Sequence, residues 1–150
     1  VRILGWSAAV VVACALLACS GSGGTPQQQI QNRVQAFTTH FNEDDAKAIL
    51  DDDVPTSFRR TCSDAAAKQA LNQVRQFGTK LSVKSVNNIA VNGSKATAQV
   101  VFDTGLPIAA QVPALTVPFV HEAGSWRFDT GNAGGCNGIL PTSLGTAAGS

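Results

Sequence analysis

The sequence predicts an α+β domain, with N-terminal helices packed on a curved antiparallel sheet of about four strands. Three observations carry this expectation. Apolar residues recur at helical spacing up to about Phe77, they recur with a period of two in segments from Leu81 onward, and those segments are punctuated by short turn signals instead of crossover helices.

The first helix begins near Pro26, since proline suits a first helical turn. Ile30, Val34, Phe37 and Phe41 follow at spacings of four, three and four, so they share one face. Asn42 is read as the cap of a short second helix. Glu43, Asp44 and Asp45 fill its first turn, where the helix dipole favours acids, and Ala46, Ile49 and Leu50 form its apolar side. Asp51, Asp52, Asp53 and Pro55 end it. A third helix spans Ser63 to Phe77, capped by Ser63, with Ala67, Ala70, Leu71, Val74 and Phe77 as its stripe and Gly78 as its C-terminal stop.

The period then changes to two. Leu81, Val83, Ile89 and Val91 occupy odd positions of a first strand, and Asn92-Gly93 signals a hairpin. Lys95 to Asp103 returns, with Ala96, Ala98, Val100 and Phe102 on one face. Thr104 to Pro113 holds Gly105, Pro107 and Pro113 and reads as an irregular connection. Leu115, Val117 and Phe119 make a third strand. Pro118 within it cannot donate to a ladder, which predicts an edge strand or a bulge. Glu122-Ala123-Gly124-Ser125 turns the chain into a last strand, Trp126 to Asp129.

The N-terminal residues have a different character. Arg2 precedes an apolar run, Ala8 to Ala18, which is too short for a membrane span of roughly 20 residues but suits the core of an export signal. It ends in Leu16-Leu17-Ala18-Cys19, which resembles the lipobox of bacterial lipoproteins. That resemblance implies a signal peptide over 1–18 and diacylglycerol (with palmitate) on Cys19. The Cys19–Gln29 segment is rich in Gly, Ser and Gln and reads as a flexible tether. The domain is assigned to 30–136 and a disordered tail to 137–150. Localisation follows: the extracytoplasmic face of the cell membrane, held by the lipid anchor.

With Cys14 in the leader and Cys19 acylated, Cys62 and Cys136 remain. In an oxidising compartment two cysteines most simply form one disulfide; a metal pair or free thiols are the alternatives. Neither cysteine lies in C-x-x-C or has a histidine at ligand spacing, so no metal and no cofactor is assigned.

Eleven basic residues face ten acidic ones, and no basic stripe exists, so nucleic acid is excluded as a partner. The acidic clusters Glu43–Asp45 and Asp51–Asp53 lack the alternating spacing and glycine of a calcium loop and read as solvated helix ends. Arg59 and Arg60 flank the same turn as Asp51–Asp53 and are expected to pair with them weakly. For catalysis, a carboxylate base and acidic donors in an apolar pocket are needed. The chain has no tyrosine. Asp103 and Asp129 end strands, and His40 stands beside Phe41, so a His–Asp pair is conceivable. Strand-end aspartates usually cap turns, and His40 reads as a boundary residue. His121 and Glu122 read as solvated.

The aromatic first helix (Ile30, Val34, Phe37), the run Asn42–Leu50 and the Gly124-Ser125-Trp126-Arg127-Phe128 ending together resemble the nuclear transport factor 2-like superfamily, over about Gln27 to Asp129. They are similar to exported actinobacterial, mycobacterial-type lipoproteins. The resemblance implies a cone-shaped domain with a cavity at its open end, in a superfamily that includes ketosteroid isomerases, ligand binders and proteins that only dimerise. Fold does not deliver function in such a family. Phe37, Phe41, Phe58, Phe102 and Phe119 are the candidate lining of an apolar cavity. The reading taken is a non-enzymatic accessory protein that meets an envelope partner or a second copy of itself. The alternatives are a carrier of a small apolar ligand or lipid and a ketosteroid-isomerase-like enzyme.

Overall fold

A computed structural model describes residues 23–76, 80–103, 113–131 and 136. Cys19, Phe77, Gly78, most of the Thr104–Pro113 connection and the 137–150 tail lie outside these residues. Helices precede a four-stranded antiparallel sheet of order β1-β2-β3-β4, which is the predicted α+β class.

Helix α1 (Pro26–Asn42) opens on a capping box. Gln28 N donates to Thr25 Oγ1 and Thr25 N donates to Gln28 Oε1, at 3.3 and 3.0 Å, which satisfies two otherwise orphaned amides. Residues 26–29 are therefore helix and not tether, because Thr25 and Pro26 together start the turn. Ile30, Val34, Phe37 and Phe41 are buried as their spacing predicts.

Asn42 does not cap the next helix. It ends α1 and clasps Leu81: Nδ2 donates to the Leu81 carbonyl and Oδ1 accepts from its amide, both at 2.8 Å. Asp45 caps α2 (Ala46–Ala48) instead, accepting from Ala48 N. The chain continues as a π-helical turn, Ile49–Asp53, closed by Val54 N donating to Ile49 O at 3.2 Å. A helix that sequence periodicity did not reveal, α3 (Thr56–Thr61), comes next; six residues are too few for a period to show. Ser63 caps α4 (Asp64–Arg75), as expected.

Strand β1 (Ser82–Asn92) pairs with β2 (Lys95–Asp103), and the register shifts between Val83 and Ser85 and again between Asn87 and Ala90. Each shift adds one residue to β1 and reverses which side its side chains take. Val86 therefore faces the core between the two bulges, opposite Val100. The second bulge, with Asn88 at φ 50°, restores the odd-numbered pattern. Val91 lies opposite Ala96 on the inner side, yet at the hairpin's far end it is 36% exposed. The loop residues are Gly93 and Ser94, with Gly93 at φ 59°, so the turn sits one residue beyond Asn92-Gly93.

Strand β3 (Leu115–Glu122) is interior to the sheet, between β2 and β4 (Ser125–Phe128), so the edge expectation from Pro118 fails. The reason lies in hydrogen-bond direction. The Pro118 carbonyl accepts from Asp129 N at 2.9 Å. A residue's N–H and C=O point to the same side of a strand, so the missing donor faces the point where β4 runs out, and costs only the last rung.

The core joins both layers. Phe37 on α1 and Phe119 on β3 each lie 5.0 Å from the Phe128 ring on β4, and Phe37 lies 6.2 Å from Phe41. Cys62 and Cys136 form a disulfide, with Cα atoms 4.9 Å apart. It ties the start of α4 to the chain beyond β4.

Candidate functional site

Asp53 is the fully buried charged side chain among the described residues, at 0% exposure. This corrects its assignment to a solvated acidic cluster. Asp51 and Asp52 keep surface positions, but the π-helical turn ends with Asp53 aimed at α1. Its Oδ1 accepts from Arg33 Nη1 at 2.9 Å, and its Oδ2 is 2.8 Å from His40 Nδ1. Arg33 and His40 are seven residues apart on α1, two helical turns, and so share a face.

Burial pushes the Asp53 carboxyl above its ordinary range, because the ionised form loses its water. Hydrogen bonds and charge from His40 and Arg33 pull partly in the other direction. With Asp53 ionised, a neutral His40 carries its proton on Nδ1 and donates it, leaving Nε2 uncommitted.

Arg33 reaches a third element. Its Nε donates to the Trp126 carbonyl at 2.9 Å, which lies on the outer side of β4, away from β3. The guanidinium therefore links α1, the π-helical turn and the sheet edge, and it covers a backbone group that would otherwise be open to pairing. Arg127, one residue on, donates from Nη1 to the carbonyls of Asp51 and Val54 at 2.6 and 2.9 Å. These carbonyls end a helical segment and have no helical partner of their own. Two arginines thus hold the irregular turn in place.

The remaining polar residues singled out from sequence are dispersed. Asp103 lies 3.4 Å from Lys84, and Asp129 Oδ1 accepts from Gly131 N. His40 pairs with neither. Arg59 joins Asp51 at 2.9 Å and Asp64 at 2.8 Å, as anticipated for the first of these. Glu122 is not simply solvated: its carboxylate accepts from the backbone N and the hydroxyl of Thr56, capping α3 from the sheet. The Thr56 bonds hold its pKa below the usual carboxylate value. His121 is exposed, with its ring 5.0 Å from that of Trp126.

Phe37, Phe41, Phe58, Phe102 and Phe119 are all buried in one apolar cluster. None of them lines either of two clefts at the surface. The first, about 220 Å³, lies between α1 and the β3–β4 hairpin and is bounded by Gln29, Asn32, Arg33, Ala36, Gly124, Ser125 and Trp126. The second, about 550 Å³ and open, is bounded by residues that include Ser57, Lys95, His121, Glu122 and Asp129. Among the described residues no three His, Cys, Asp or Glu side chains converge as metal ligands, and no helix is long and apolar enough to cross a membrane.

Sequence reasoning missed Asp53 and Arg33. The seven-residue spacing of Arg33 and His40 was the available signal, but nothing local separates Asp53 from Asp51 and Asp52. No family model matches this sequence, and no curated protein matches it.

Proposed function

We propose that this chain is a lipid-anchored, extracytoplasmic, non-enzymatic accessory protein carrying a nuclear transport factor 2-like domain. The observation that carries the reading is the bond between Cys62 and Cys136. Such a cross-link persists in oxidising compartments and is rare in a reducing cytosol. It agrees with the compartment implied by Leu16-Leu17-Ala18-Cys19. The helices-then-meander order supports the superfamily assignment.

Two features favour a non-catalytic role. The buried Asp53 carboxylate is engaged on both oxygens by the partly buried Arg33 and His40, in the manner of a structural clamp. The five candidate phenylalanines pack in the core with the other apolar side chains, which favours a filled interior over a cavity for an apolar ligand. A partner would meet a largely polar surface, since the outward side chains of β2 and β3 include exposed Lys95, Thr97, Gln99 and Thr116. An envelope protein or a second copy of the chain would dock there through hydrogen bonds.

Mass spectrometry of membrane-extracted protein tests the anchor. The expected N-terminal peptide starts at Cys19 and carries diacylglycerol. An unmodified chain starting elsewhere overturns the reading.

A further inference from the structure

We infer that the cleft between α1 and the β3–β4 hairpin is a binding site for a small carboxylate-bearing molecule, with Arg33 as its anchor. The inference is independent of the membrane anchor and concerns a surface distinct from the buried aromatic cluster.

The lining carries the argument. Gln29, Asn32, Arg33 and Ala36 follow one another on α1 at spacings of three, one and three, so they form one wall. Ser125 and Trp126 form the other. The polar groups are two carboxamides, a hydroxyl and a guanidinium, and no carboxylate lines the cleft. Gln29 Nε2 already donates to Gly24 O, and the Arg33 charge is shared with Asp53. The cleft's open donors are therefore the remaining N–H groups of Arg33 with the Asn32 amide and the Ser125 hydroxyl, a set that suits a ligand rich in acceptors.

Arg33 is prepared for such a ligand. A guanidinium has five N–H groups. One is spent on Trp126 O and one on Asp53 Oδ1. The others have no protein partner among the described residues, and the side chain keeps 19% of its surface. Asp53 is held in turn by His40. The fork is therefore already oriented before a ligand arrives, and little rotamer entropy remains to be lost on binding. One N–H on Nη1 and two on Nη2 remain, and a carboxylate is the simplest charged acceptor for them.

Size narrows the class. About 220 Å³ corresponds to roughly seven water volumes, which suits a small molecule. Asn32 is exposed and lies beside Arg33, so its carboxamide can accept from or donate to a second polar group of the ligand.

The test is an NMR titration of the full chain in detergent micelles with N-acetylglycine, following the amides of Asn32, Gly124 and Ser125 and the Trp126 indole. The neutral N-acetylglycinamide serves as the control probe. Saturable shifts on both walls are expected, with the amide at least tenfold weaker. Arg33→Lys keeps the charge but loses the fork, and should weaken binding at least tenfold. Should Arg33→Lys fail to fold, Asn32→Leu fills the cleft from an exposed position and should abolish the shifts while leaving the rest of the spectrum in place. Shifts that never saturate, an amide that binds as well as the acid, or unchanged affinity in Asn32→Leu each overturn the site.

Discussion

Arg33 and Asp53 stand twenty residues apart in sequence and 2.9 Å apart in space, and the carboxylate they share with His40 has no exposed surface. A charge in that position is tolerated only because both its oxygens are engaged. Asp53→Ala removes the acceptor and strands Arg33, so it should destabilise the fold by about 3–5 kcal/mol. Urea denaturation measures this. Replacing both partners, as in Arg33→Met with Asp53→Leu, should cost less than the two single changes together. Additivity would show that the pair is not coupled.

Asp53 and Glu122 should give stability profiles of opposite sign against pH. The folded-state pKa of Asp53 is raised from 3.8, so the folded protein takes up that proton first. Its contribution to stability is fully present below the unfolded value and is lost as pH rises through the folded one. Glu122 is lowered from 4.5 by the Thr56 bonds. Its contribution is present above that value and is lost as pH falls through the folded-state pKa. Stability from pH 3 to 7 for wild type, Asp53→Asn and Glu122→Gln resolves the two. Parallel wild-type and Glu122→Gln profiles would show that the α3 cap does no electrostatic work.

Cys62 and Cys136 are separated by 74 residues. Closing a loop of that length restricts the unfolded chain enough to contribute about 4 kcal/mol on the chain-entropy model. Reduction, or a Cys62→Ser and Cys136→Ser double variant, should lower unfolding free energy by that order in urea melts. A change under about 1 kcal/mol would mean the unfolded chain is already compact around this link.

Phe37 touches aromatic rings from both its own helix and β4. Phe37→Ala should cost about 3–5 kcal/mol, since it removes apolar burial and leaves a void between the two layers. Phe58 is also buried, but on the short α3. If the aromatics lined a ligand cavity instead, truncation at Phe37 would cost far less, because no packed neighbours would be lost.

Much of the architecture was legible from local pattern. The faces of α1, α4, β2 and β3 follow directly from apolar spacing, because burial acts on every turn or every second residue. Val86 was not legible. Two bulges each insert a residue into β1, and the alternation recovers afterwards, so the outer members Val83 and Ile89 look regular while the middle has slipped. Pro118 misled in another way. A missing amide signals an edge strand only if a neighbour needs that amide, and the length of β4 decides whether one does.

The α+β order and the apolar faces of α1, α4, β2 and β3 were set by the sequence alone, through periodicity, and the disulfide between Cys62 and Cys136 was its simplest expectation for them. The Arg33–Asp53–His40 cluster was decided only by the tertiary structure. Three consecutive aspartates are chemically identical in sequence, and the π-helical turn buries the last of them. Arg127 then holds that turn by its carbonyls from β4, a distance of more than seventy residues along the chain. Such contacts depend on how the layers meet, and local spacing carries no information about that.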